Sequence, residues 1–144
     1  MSKLSEQLGE LMIEDGLSQK SLAEKLNTSR PKLSLYLNDK ALPTFKIFIE
    51  LIEYFNCSAD FLIGLKDYPE RDRKYLPVQP FGARLKSVLK ERGISQYTFQ
   101  KSSEISWSIL HGWFTGKAQP SIENIKRVAK KLDCSIDFIL GRES

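Results

Sequence analysis

Apolar residues return every three or four positions in short bursts along this chain, and each burst ends on a glycine, an asparagine, a proline or a hydroxyl residue. Leu4, Leu8, Leu11 and Met12 form the first stripe and stop at Gly16, which predicts an amphipathic helix closed by a left-handed residue. Leu17 then pins the chain, and Ser18 is placed to cap a second helix whose apolar residues are Leu22, Ala23 and Leu26. That helix is expected to end at Asn27, a residue type that tolerates positive φ. Two residues later Ser29 can cap a third helix. Pro31 lies near its first turn, where a missing N–H does no harm, and Leu33, Tyr36 and Leu37 are expected to face inward. Pro43 and Thr44 open a fourth helix carrying Phe48, Leu51, Ile52 and Phe55, and the run Ser58 to Gly64 closes the series with a short capped helix. The break between the second and third helices leaves room only for a sharp turn.

The series then starts again. Displacing the sequence by 77 residues lays 81–142 over 4–65 without a gap, with 15 identical pairs in 62 positions. Among the pairs are Gly16/Gly93, Ser18/Ser95, Gln19/Gln96, Ser29/Ser106, Leu33/Leu110, Lys40/Lys117, Pro43/Pro120, Cys57/Cys134, Asp60/Asp137 and Gly64/Gly141. Phe81, Leu85, Val88 and Leu89 repeat the first stripe, and Ile125, Val128, Ala129 and Leu132 repeat the fourth. A period this long exceeds the roughly 20–50 residues of solenoid repeats, so each copy is expected to be a complete small domain with its own core. The reading is two domains, 1–66 and 81–144. The segment 67–80 between them carries three prolines, six charges and no helical apolar stripe, which reads as a linker.

Composition narrows the chemistry. With 144 residues, 41% apolar and 28% charged, the chain is globular, and no run approaches the roughly 18 apolar residues of a membrane span. The first ten residues, MSKLSEQLGE, hold no apolar signal-peptide core. Two cysteines and one histidine fall one short of the four ligands of a closed structural zinc site, so no metal is expected. Cys57 and Cys134 read as small buried hydrophobes in a reducing cytoplasm rather than as a disulfide. The net charge of +4 is uneven: residues 1–66 hold eight basic against nine acidic side chains, whereas 81–144 hold eleven against six. His111 with Ser108 and Asp137 nominally offers base, nucleophile and orienter, but nothing in the sequence brings the three together. No phosphate-cradling loop or paired carboxylate motif is present, and neither an enzyme nor a cofactor is expected.

Taken in order, these residues resemble the Cro- and phage-repressor-type (XRE-like) helix-turn-helix family. In the first copy the resemblance rests on Gly16-Leu17-Ser18-Gln19, Leu22-Ala23, Ser29, Leu33, Tyr36, Lys40, Pro43 and Cys57 to Gly64. In the second it rests on Gly93-Ile94-Ser95-Gln96, Phe99, Ser106, Leu110, Trp113, Gly116-Lys117, Pro120 and Cys134 to Gly141. The resemblance implies an all-α fold of two tandem five-helix lambda-repressor-like domains. It also implies a sequence-specific DNA-binding transcriptional regulator, expected to be a repressor, in the cytoplasm and associated with the nucleoid. The partner implied is double-stranded DNA, with no membrane.

The resemblance carries roles onto matching positions. The start of the second helix would grip phosphate through Ser18 and Gln19, and through Ser95 and Gln96 in the second copy. The loop after the third helix would do likewise through Asn38 and Lys40, and through Thr115 and Lys117. The third helix, capped by Ser29, would enter the major groove with Arg30, Pro31, Lys32, Ser34 and Leu35 toward base edges, Arg30 being matched to guanine. The alternative for Arg30 and Lys32 is a solvated helix face, and their position within the motif favours DNA contact over it.

The second copy departs from the pattern. Gln100 replaces Ala23, Ser103 replaces Leu26, and Glu104, a poorer positive-φ residue, stands where Asn27 does, so the packing of its second helix on its third is open to question. Behind Ser106, its outward residues are Trp107, Ser108, Ile109, His111 and Gly112, poor in cations and rich in apolar surface. Trp107 and Ile109 can meet thymine methyls or a protein. Two readings therefore stand: a regulator with both third helices in DNA, or an antitoxin-like interaction module whose second copy dimerises or binds a protein partner.

Overall fold

The chain was analysed as a computed structural model that describes residues 3–143, and all regular structure among them is helical. It divides into two compact units, Met1–Lys74 and Tyr75–Ser144. The first contains α1 (Lys3–Glu14), α2 (Gln19–Lys25), α3 (Arg30–Leu37), α4 (Phe45–Phe55) and α5 (Ala59–Ile63). The second contains α6 (Phe81–Glu91), α7 (Gln96–Ser103), α8 (Trp107–Phe114), α9 (Ile122–Lys131) and α10 (Ile136–Ile139).

Hydroxyl caps place eight of these helix starts. Ser18, Ser29, Thr44 and Ser58 accept the N–H of the third residue of α2 to α5, and Ser95, Ser106, Ser121 and Ser135 do the same for α7 to α10. After α1 the chain reverses at Gly16, whose φ of +63° lets the Leu17 N–H reach the Met12 carbonyl at 2.9 Å; Gly93 at +68° repeats the device after α6. Each cap satisfies backbone donors that would otherwise be orphaned, so the duplicated serines fix the directions of the duplicated helices.

In the first unit α1 packs on α3 and α5, and α2 on α3, around Leu8, Leu22, Leu33, Phe48, Leu51, Phe55 and Phe61, all nearly or wholly inaccessible. In the second, α6 packs on α8 and α10, and α9 on α7 and α10, around Leu85, Phe99, Leu110, Trp113, Ile125 and Val128. Gly82 makes the α6–α8 approach possible, because a Cβ there would fall 1.9 Å from the Trp113 carbonyl oxygen.

The helix-turn-helix corner is built differently in the two units. Asn27 does not take the expected positive φ: α2 stops a residue earlier, at an extended Leu26 (φ −114°) that plugs the core, and the Asn27 amide donates to Glu50 at 2.9 Å. In the second unit α7 runs one residue longer, Glu104 adopts the left-handed conformation (φ +61°), and Ile105 is buried where Thr28 stands in the first. The missing apolar group at Ser103 is thus replaced two residues on. A core expectation also shifts, at Leu37, and Phe138 departs from its buried counterpart Phe61. Leu37 is only half-buried, and so is Phe138, because the guanidinium groups of Arg84 and Arg92 cover its ring at 4.5 and 5.7 Å in place of apolar neighbours. Cys57 is buried, whereas Cys134 is half-buried.

The segment 67–80 is folded onto the units rather than extended between them. Within the first unit, Arg71 makes two 2.8 Å hydrogen bonds to the Asp15 carboxylate, donates to the Phe55 carbonyl at 2.9 Å and lies over the Phe55 ring. The Ser58 N–H donates to the Pro69 carbonyl, and the Asn56 amide to the carbonyls of Arg71 and Arg73. Hydrogen bonding from Arg71, aided by its charge and opposed by partial burial, holds the Asp15 carboxyl below its ordinary range. Within the second unit, the Leu76 and Gln79 N–H groups donate to the carbonyls of Arg142 and Leu140. Arg142 itself covers the Tyr75 ring at 4.0 Å and pairs with Asp137 at 2.7 Å, both charged side chains being 2% exposed.

Candidate nucleic-acid interface

The residues singled out from the first copy gather on one face made by the start of α2, α3 and the loop after it. Arg30, Pro31 and Lys32 form the exposed first turn of α3; Leu35 is exposed a turn later and Ser34 half-buried. Lys40 is exposed in the following loop, its N–H bound to the Leu35 carbonyl at 2.8 Å. Among the described residues the side chains of Arg30, Lys32 and Lys40 have no ion-pair or hydrogen-bond partner within the chain, which leaves their charge available to an external anion. Lys20, exposed in the first turn of α2, belongs to the same set and was not singled out from the sequence, although its place beside Gln19 was a visible signal.

Several candidates are engaged locally. The Ser18 hydroxyl accepts from the Ser21 N–H and donates to the Ser21 hydroxyl, and Ser95 does the same with Thr98. Ser29 and Ser106 accept from the Lys32 and Ile109 N–H groups. The Asn38 amide donates to the Ser34 carbonyl at 2.8 Å and hydroxyl at 3.2 Å, and the Thr115 hydroxyl to the His111 carbonyl at 2.9 Å. These side chains orient the helices; a phosphate would have to displace a capping bond to reach their donors.

The second copy presents the same frame with a different face. Where the first has Lys20, Arg30 and Lys32, the second has Tyr97, Trp107 and Ile109, which are 68%, 48% and 45% exposed. Gln96, Tyr97, Gln100 and Trp107 line a shallow concavity of about 280 Å³. Trp107 also lies 5.8 Å from His111 and 6.2 Å from Phe114, ring to ring, and Lys101 sits over the Tyr97 ring. Ser108, His111 and Lys117 are exposed. His111 is not joined to Asp137, whose carboxylate is buried against Arg142, so no catalytic triad is assembled. Among the described residues no group of three metal-ligating side chains occurs, and no helix is long and apolar enough to cross a membrane.

Five helices with a capped second and third helix meeting at a sharp turn define a helix-turn-helix domain, here present twice. Residues 8–62 and 85–139 each match the Helix-turn-helix family, and the chain belongs to that family, of the Cro and XRE type, whose members are DNA-binding regulators of transcription. Comparison with curated proteins and with solved structures gave no match.

Proposed function

We propose that the chain is a transcriptional repressor that occupies its operator through the first copy, with α3 lying in the major groove. The observation that carries this is the set of exposed, unpaired cations Arg30, Lys32 and Lys40 on a face whose helix directions are locked by the Ser18 and Ser29 caps. Arg30, at the first position of α3, reaches base edges and takes guanine O6 and N7 in a bidentate contact; Lys32 and Lys40 meet phosphate, and Leu35 meets a thymine methyl. Both compact units match the helix-turn-helix family, which supports regulation by occupying DNA and excluding the transcription machinery. The test is selection of duplex sites from a random pool by the whole chain over a salt series, repeated with Arg30→Ala. Enrichment of a defined motif that Arg30→Ala blurs at one position supports the reading; failure to enrich any motif at low salt overturns it.

A further inference from the structure

The α7–α8 face of the second copy poses a separate question, because the unit buries other large aromatic side chains on these helices and on α6. Phe81, Phe99 and Trp113 are at most 3% exposed, yet Tyr97 and Trp107 stand out from the surface around a concavity of about 280 Å³. We propose that this face binds an unpaired nucleic-acid strand, one base entering the concavity against Trp107 and a neighbour stacking on Tyr97.

Three features choose this occupant. Neither α7 nor α8 contains a carboxylate, the nearest in sequence being Glu104 in the turn between them, while Lys101 lies 5.6 Å over the Tyr97 ring and Lys117 is exposed beyond α8. Exposed aromatic faces flanked by cations are the elements by which proteins hold single strands: the rings stack on bases and the cations follow the backbone. The concavity also lies just below the roughly 300 Å³ at which pockets for drug-sized ligands begin, which fits one flat ring system. Finally, the Gln96 and Gln100 side-chain amides, one helical turn apart, have no partner among the described residues and can pair with a base edge.

The alternatives fit less well. A duplex hides its base faces in its own stack and is read through edges and phosphates, for which the first copy's cations are suited and Tyr97, Trp107 and Ile109 are not. A second copy of this face would bring like charge to like charge. Its three exposed apolar side chains also fall far short of the roughly 800 Å² per partner of a stable interface.

The test uses the full chain and an oligo(dT) strand. Trp107 is the exposed indole and Trp113 the buried one, so stacking quenches the red-shifted part of the emission. Fluorescein-labelled oligo(dT) followed by anisotropy gives the affinity of variants. Trp107→Ala is expected to weaken strand binding by roughly 5- to 150-fold, the range for loss of one base stack. Tyr97→Ala should weaken it as well, and Trp107→Phe should restore most of it. Arg30→Ala should leave the quenching of Trp107 emission at saturating strand unchanged, which separates this result from the fate of the first copy's operator reading. Unchanged Trp113 emission in Trp107→Ala verifies that the unit is folded. The proposal is overturned if the annealed duplex binds this face as tightly as the strand, or if adenosine monophosphate saturates it at equal affinity, marking a free-nucleotide site. It is overturned equally if Trp107→Ala alters sedimentation but not strand binding, which would assign the face to self-association.

Discussion

The buried pair of Arg142 and Asp137 gives the sharpest stability prediction, because the first copy has no counterpart to it: Leu65 occupies the position of Arg142. Both charged side chains are 2% exposed and 2.7 Å apart, and the guanidinium also covers Tyr75 at 4.0 Å. Removing the arginine takes away the guanidinium that neutralises a carboxylate 2% exposed, a loss of about 3–5 kcal/mol in comparable buried pairs, with the ring contact adding about 0.5–2 kcal/mol. A unit of this size has a total stability of only about 5–15 kcal/mol, so Arg142→Leu should leave the second unit marginal. Both tryptophans, Trp107 and Trp113, lie in that unit, so urea unfolding followed by their emission reports on it alone. At a slope of roughly 1 kcal/mol per molar urea for so small a unit, the midpoint should fall by about 3 M or more. The companion variant Asp137→Asn with Arg142→Leu removes both charges and should recover much of the loss, since an uncharged buried site escapes the desolvation penalty. A midpoint shift below about 1 M in Arg142→Leu would refute the reasoning, as would a double variant no more stable than the single one.

Arg30→Ala should cost about 1–3 kcal/mol on the preferred duplex and flatten the preference at one base pair, read from binding curves on matched and mismatched sites; uniform loss on all DNA would make Arg30 a phosphate contact. Lys40→Ala should instead weaken all duplexes evenly and lower the slope of log affinity against log salt by about one, measured by salt-titrated anisotropy. The Arg71 clip predicts a pH response in the first unit. Because Asp15 titrates lower in the folded chain than an ordinary aspartate, its contribution is complete above the ordinary aspartate range and is lost as pH falls through the folded value. Protection of the Ser58 amide, which is bonded to the Pro69 carbonyl, should therefore drop on acidification in the natural chain, whereas Asp15→Asn should show low protection at every pH by hydrogen exchange.

What could be read from the residues was what acts locally. A serine or threonine before an apolar burst caps a helix whatever surrounds it, so the order of the capped helices among the described residues and both glycine reversals follow from the sequence. The corner of each copy could not be read so, because its backbone depends on which residue plugs the core. Leu26 allows Asn27 to avoid positive φ, while Ile105 obliges Glu104 to adopt it. Phe138 stands at the position of Phe61, which is core, and only the fold reveals the two arginines, one from the body of α6 and one from its end, that cover it. On the candidate interface, Arg30, Lys32 and Trp107 stand out by residue type, whereas Lys20 and Tyr97 become meaningful only once the copies are compared position by position on their surfaces.

The seam of this protein does not fall where its repeat ends. The duplicated pattern stops at 65 and resumes at 81, but the first unit keeps its grip on the chain through Arg71 and Arg73, and the second takes hold at Tyr75 and Leu76. Dissection guided by the repeat alone would truncate both halves, depriving one of its guanidinium brace and the other of the irregular segment that covers its buried arginine. Lys74–Tyr75 is the bond at which the molecule separates into two pieces that each retain what they fold with.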